Sequence, residues 1–266
     1  MAVGLENLRK DARMQKDSDR QMSSAWLLVY LLPIIVGVIS TIIFSVLFID
    51  MFSSIDSIDP YNYSFDSFPV QFTATLTAIG FMGLINVAVS IIFMYILVNR
   101  RYTHFKRQKF LYEDIIAAIS SLPKPDETEV DVSLSSLERT SREANAEEID
   151  KSAILWSILS AFIPFVQLYV YYFLMNDFYR HEKREDGFWT DTSKALNTLG
   201  VNFSVPRRTE AMPYRNFVLY LILLIVTVGL FGVYWIYVLI KDPNEHFKYH
   251  IETENLLISS IESAQT

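Results

Sequence analysis

Four stretches without a charged residue, 25–49, 72–98, 153–175 and 216–240, constrain this chain more than any other feature. Each exceeds the roughly 18–20 residues that a helix needs to cross a hydrocarbon core of about 30 Å. In water such runs would have to be buried on every side, and the polar segments between them are too short to build a separate domain around them. The pattern predicts an all-α integral membrane protein with four hydrophobic helical segments and polar helical extensions. Its parts read as an N-terminal polar segment (1–24), a hairpin with a helical extension (25–122), an acidic linker and helix (123–150), and a tandem membrane region ending in an amphipathic helix (151–266). The first run is preceded by 24 polar residues and has no small-residue cleavage site after it, so it reads as a retained anchor.

Basic residues set the expected orientation. Arg9, Lys10, Arg13, Lys16 and Arg20 precede the first run, and Arg100, Arg101, Lys106, Arg107 and Lys109 follow the second. The loop between these runs carries Asp50, Asp56, Asp59 and Asp66 and no base. Bases stay on the cytoplasmic side, so both ends of the hairpin are expected there, in a multi-pass protein of the cell membrane with both termini cytoplasmic. The bases at 100–109 could also attract anionic lipid headgroups.

The third and fourth runs look duplicated. An offset of 65 residues lays Tyr169 on Tyr234, Tyr172 on Tyr237, Asp177 on Asp242 and His181 on His246, with Pro164 falling on Gly229. If both runs crossed the membrane, the seven bases between 176 and 215 would lie outside, against the positive-inside rule. Breaks at Pro164, and at Gly229 and Gly232, would instead leave limbs of about 12–20 Å that enter one leaflet and return. Two spanning helices plus two tandem re-entrant segments is the favoured arrangement, with four spans the alternative.

Thr227, Gly229, Gly232, Tyr234 and Trp235, in TVGLFGVYW, resemble the signature of a prokaryotic membrane family, domain of unknown function 4234. The resemblance implies membrane placement and repetition, and it implies no activity or cofactor.

The polar segments read as supports. Tyr112, Ile115, Ile116, Ile119 and Leu122 recur at helical spacing, so the second helix should run on to Pro123. Residues 123–132 read as a linker, Ser135 and Glu138 as a capping box that starts a new helix, and 191–200 as a short helix closed by Gly200. Asp242, Pro243 and Glu245 fit the first positions of another helix, whose stripe of Phe247, Ile251, Ile258 and Ile261 would pack on its neighbours or on a second subunit.

Chemistry is sparse. The absence of cysteine excludes disulfides, thiolate metal sites and cysteine nucleophiles. His246 and His250 are spaced i, i+4 beside Glu245, as two zinc ligands on one helix would be, yet no third or fourth ligand is apparent. They read as surface or packing histidines, and no metal or cofactor is expected. Asp177 and Asp242, at equivalent exits, are candidates for ion handling. No hydrolase motif, phosphate loop or nucleic-acid signature is present. The expected function is a non-enzymatic membrane scaffold or complex subunit that binds a partner or itself through its polar helices; the alternative is a channel or transporter built on the broken segments.

Overall fold

In the computed structural model, which describes residues 2–55, 70–123, 127–163 and 165–264, every regular element among the described residues is a helix. The order is α1 (Ala2–Ser18), α2 (Trp26–Ile55), α3 (Val70–Ser120), α4 (Glu127–Glu147), α5 (Ala153–Phe162), α6 (Val166–Thr198), α7 (Phe217–Val226) and α8 (Phe231–Ser263). Two of them are long and apolar enough to cross a membrane, within Trp26–Asp50 and Thr73–Ser120. Helix α2 exposes its apolar side chains nearly all round, among them Leu28, Ile39, Val46 and Ile49.

The third and fourth apolar runs each fold as a short helix, a turn and a long helix. Helices α5 and α7 have 10 residues, about 15 Å, and α6 and α8 have 33. Gly229 turns the second pair with φ +90°, in the left-handed region that a side chain disfavours, and Val228 beside it also has positive φ. Thr227 secures the turn, its hydroxyl donating to Leu223 O at 2.7 Å and accepting from Phe231 N at 2.9 Å. At Gly232 a Cβ would stand 2.9 Å from the Tyr30 hydroxyl, so this glycine permits α8 to lie against α2. Trp235 is fully buried and donates to Met175 Sδ, whereas Tyr234 is half exposed. Pro164 lies outside the described residues, as does most of the acidic loop between the first two runs.

Helix α3 is the axis of the molecule. Its 51 residues extend about 76 Å, carrying the second apolar run directly into the polar bundle and ending just before Pro123, as its spacing predicts. Three other readings of the polar segments need correction. Helix α4 begins at Glu127, so Ser135 is a mid-helix residue and the linker is shorter than predicted. Val130, Leu134, Leu137 and Ala144 form its buried stripe, and a packed apolar face outweighs a possible cap. Residues 191–198 complete α6 instead of forming a helix of their own, with Gly200 at φ +80° just beyond. Asp242 caps nothing: α8 runs through Pro243, and Asp242 receives Arg215 Nε at 2.7 Å and Nη2 at 2.9 Å. The stripe on α8 does pack, with Phe247 and Ile261 buried.

Among the described residues two large apolar clusters result, with a small one around Phe105, Phe178, Met212 and Phe247. One, around Phe93, Leu97, Phe173 and Trp235, joins α3 to the helix pairs. The other, around Leu8, Ile115, Leu137, Trp189 and Leu257, closes the far end, where α1 packs on α3 and α8 and α4 on α6. Between them lies a charged layer.

Candidate metal centre

All four histidines of the chain meet in that layer. His104 comes from α3, His181 from α6, and His246 and His250 from one face of α8. Each is at most 1% exposed, and one nitrogen from every ring lies within 4.8 Å of the others. The two histidines that read as an isolated pair on α8 are therefore neither on the surface nor alone. Two other long helices, α3 and α6, supply the missing partners.

The outer nitrogens are held by carboxylates. His104 Nδ1 is 2.9 Å from Asp19 Oδ1, His181 Nδ1 2.8 Å from Glu148 Oε1, and His246 Nδ1 3.1 Å from Glu182 Oε2. His250 Nδ1 lies 3.2 Å from Glu254 Oε1 and 2.8 Å from the Gln108 amide. A carboxylate can only accept, so the proton of His104, His181 and His246 is assigned to Nδ1 and Nε2 presents a lone pair. These lone pairs face inward: His104 Nε2 is 3.3 Å from His181 Nε2 and 3.2 Å from His246 Nε2. Ligands 2.0–2.1 Å from one tetrahedral ion would be about 3.3–3.4 Å apart. Lone pairs in mutual contact repel unless a cation lies among them. Carboxylates that orient imidazoles through Nδ1 are the usual outer shell of a metal site.

The carboxylates are fixed in turn. Arg107 bridges Asp19 (2.6 Å) and Glu254 (2.8 Å), Arg184 holds Glu148, and Arg208 holds Glu182 (3.1 Å) and Glu185 (3.4 Å). Met212 N donates to Glu182 Oε1 at 2.6 Å. Five buried carboxylates thus touch the rings and three guanidiniums touch those carboxylates. Metal ligation requires all four imidazoles to be neutral, His250 giving up the proton that Glu185 and Glu254 favour; two negative charges then remain, which one divalent cation would neutralise.

Burial pushes His246 well below the ordinary histidine range, helped by the neighbouring rings, which keeps it neutral and able to ligate. Burial opposes protonation of His250 as well, but Glu185 and Glu254 outweigh it and raise this ring to about 9. For Asp19 and Glu185 burial disfavours the charged form, yet His104 and His250 respectively lead the groups that hold them below the usual carboxylate range. Phe105, Phe178, Phe247 and Met212 close the layer, with Phe247 4.7 Å from His104 between ring centroids.

Of the residues singled out by sequence, His181 and His246 belong to this centre. Asp177 is spent on Arg101 and Lys151, each at 2.7 Å, and Asp242 on Arg215. Thr227, Gly229, Gly232 and Trp235 shape the α7–α8 turn and its packing. The basic cluster also proves largely internal. Arg100, Arg101 and Arg107 are buried, Arg100 bonding Arg20 O and Asn244, and Lys109 donates to Glu148 O. Of the five only Lys106 is exposed, because Arg100 and Arg107 bond side chains of α8, and Arg101 bonds Asp177 of α6 and Ile149 O. Sequence reasoning missed His104, Asp19, Glu148, Glu182, Glu185 and Glu254.

Comparison with protein-family models, curated proteins and solved structures finds no match to this chain. The resemblance of TVGLFGVYW to domain of unknown function 4234 rests on those residues alone.

Proposed function

We propose that this protein is a non-enzymatic, membrane-anchored scaffold whose polar bundle is closed around one divalent transition-metal ion bound by His104, His181, His246 and His250. The inward-facing Nε2 atoms, on rings whose Nδ1 atoms already have carboxylate partners, carry this reading. A centre with no exposed ligand suits a structural role, since catalytic sites keep a position open to substrate.

Anchoring is assigned to α2 and the apolar part of α3, with α5–α6 and α7–α8 entering one leaflet and turning back. Their 10-residue first limbs are too short to span, and Phe165, Val226, Val228 and Leu230 stand exposed at the turns. The equal helix lengths of the two pairs support the duplication, which places one histidine of the centre, His181 or His246, in each copy. The flanking bases support a cytoplasmic bundle. The channel or transporter alternative has less support: the apolar runs contain no charged residue, and aromatic side chains cover the histidines.

Protein purified in detergent without chelator should contain close to one divalent ion per chain by mass spectrometric metal analysis, and His181→Ala/His246→Ala should contain none. Wild-type protein that neither retains nor takes up such an ion at micromolar concentration would overturn the metal reading.

A further inference from the structure

Four carboxylates each serve one imidazole, but the centre contains a fifth. Glu185 is fully buried and stands four residues after His181, one turn along the same face of α6. No Nδ1 needs it, since Asp19, Glu148, Glu182 and Glu254 occupy those atoms. Its Oε1 lies 2.5 Å from His250 Nε2 as an ion pair, and neither atom has another hydrogen-bond partner. Its Oε2 is 3.8 Å from His246 Nε2 and 3.4 Å from Arg208 Nη2. A metal ion bound to both would take the place of the proton that this buried pair shares.

We infer that Glu185 is a direct ligand, so that four imidazoles and one carboxylate form a five- or six-coordinate sphere for an ion such as iron(II), manganese(II), cobalt(II) or nickel(II), and not a closed tetrahedral zinc site. This rests on the metal reading above and deepens it. Structural zinc sites close with four ligands. A fifth donor group, with two oxygens available, suits ions that accept larger coordination numbers, and the predominance of imidazole favours iron, cobalt or nickel over magnesium or calcium. The negative charge of Glu185 is one of the two that a divalent ion would neutralise. Glu185 does not serve as a fifth orienting group, because it faces the nitrogens that point inward.

The test is cobalt substitution of the full-length protein in detergent. Apo protein is titrated with cobalt(II) while bound cobalt and visible absorption are followed together. Wild type should bind one equivalent and show the weak d–d bands of a five- or six-coordinate ion. Glu185→Gln should still bind cobalt, at least tenfold more weakly, with the intensified, red-shifted bands of four-coordinate geometry. Intense tetrahedral bands in wild type that Glu185→Gln leaves unchanged would overturn the inference while leaving the metal centre standing. Failure of wild type to bind cobalt would overturn both. X-ray absorption at the cobalt edge of wild type gives an answer that does not depend on the variant folding: five or six nitrogen and oxygen neighbours support Glu185 as a ligand, and four overturn it.

Discussion

The two halves of this molecule share α3, α6 and α8 but are built on opposite plans. In the half containing α2, the first part of α3 and the turns of the helix pairs, large apolar side chains point outward, with Leu28, Phe81, Leu84, Phe165 and Val228 all well exposed. In the half containing α1, α4 and the ends of α3, α6 and α8, charged side chains point inward, with Arg107, Glu182, Glu185 and Glu254 all at most 3% exposed. Helix α3 takes part in both without a break. The surroundings must stabilise the first half, because it has little core of its own near the turns. The second half is stabilised by an aromatic and aliphatic core around a charge layer that one missing partner would unbalance.

Metal removal should separate the halves most sharply. Chelation, or His181→Ala/His246→Ala, is expected to lower the melting temperature of the polar half by about 10 °C or more, because site formation and folding are coupled. The anchored half should resist alkaline carbonate extraction unchanged. Loss of both properties together would show that the halves do not behave independently.

Arg107→Ala tests the charge layer directly. It leaves Asp19 and Glu254 facing each other without their shared guanidinium, and is expected to cost about 3–5 kcal/mol, read by denaturant unfolding. Ile39→Ala in the exposed apolar half should change that measurement by less than about 0.5 kcal/mol. Similar costs at the two positions would remove the distinction.

A smaller effect is expected at the turn. Gly229→Ala forces a side chain into positive φ and should destabilise the α7–α8 pair by about 1–2 kcal/mol, seen as faster proteolysis near 227–230 in detergent with little change in metal content.

Asp11 should give an unusual pH dependence. Burial first, then its neighbour Asp114, raises this carboxyl from 3.8 to about 7. A folded-state value above the unfolded one means that the protonated form is favoured on folding. The contribution of Asp11 is therefore most favourable below about pH 4 and is lost as pH rises towards 7. Asp11→Asn should raise the melting temperature at pH 8 and leave it nearly unchanged at pH 4; an equal shift at both would contradict a titration at this residue.

Much of the architecture was legible because it depends on local pattern. Uncharged runs gave the two long apolar helices, Gly229 gave a turn, and the spacing of Tyr112, Ile115 and Ile119 extended α3. The beginning of α4 was not legible, because Val130 and Leu134 are separated by acidic and hydroxyl residues that read as linker until α6 and α3 cover them. The metal centre was legible only in its local piece, His246 and His250. His104 lies 77 residues from His181 and 142 from His246, and no periodicity reports a meeting at that distance. One signal was available in part: His181–Glu185, His246–His250 and His250–Glu254 all repeat i, i+4 spacing of groups that bind or orient a metal ion. The bases around His104 obscured the rest, since a cluster of arginines beside an apolar run reads as a topology signal whether it faces lipid or, as here, the protein interior.

The contacts between α1 and α8 also bear on biosynthesis. Gln15 donates to Glu254 at 2.6 Å and Arg9 to Glu262, so the part of α1 that α3 leaves open is covered only after α8 has been made. His104 in turn needs Asp19 from the start of the chain and His246 from near its end. A nascent chain shorter than about 250 residues does not hold the full set of four histidines. If the four histidines hold a metal ion, as proposed, its loading follows the synthesis of α8.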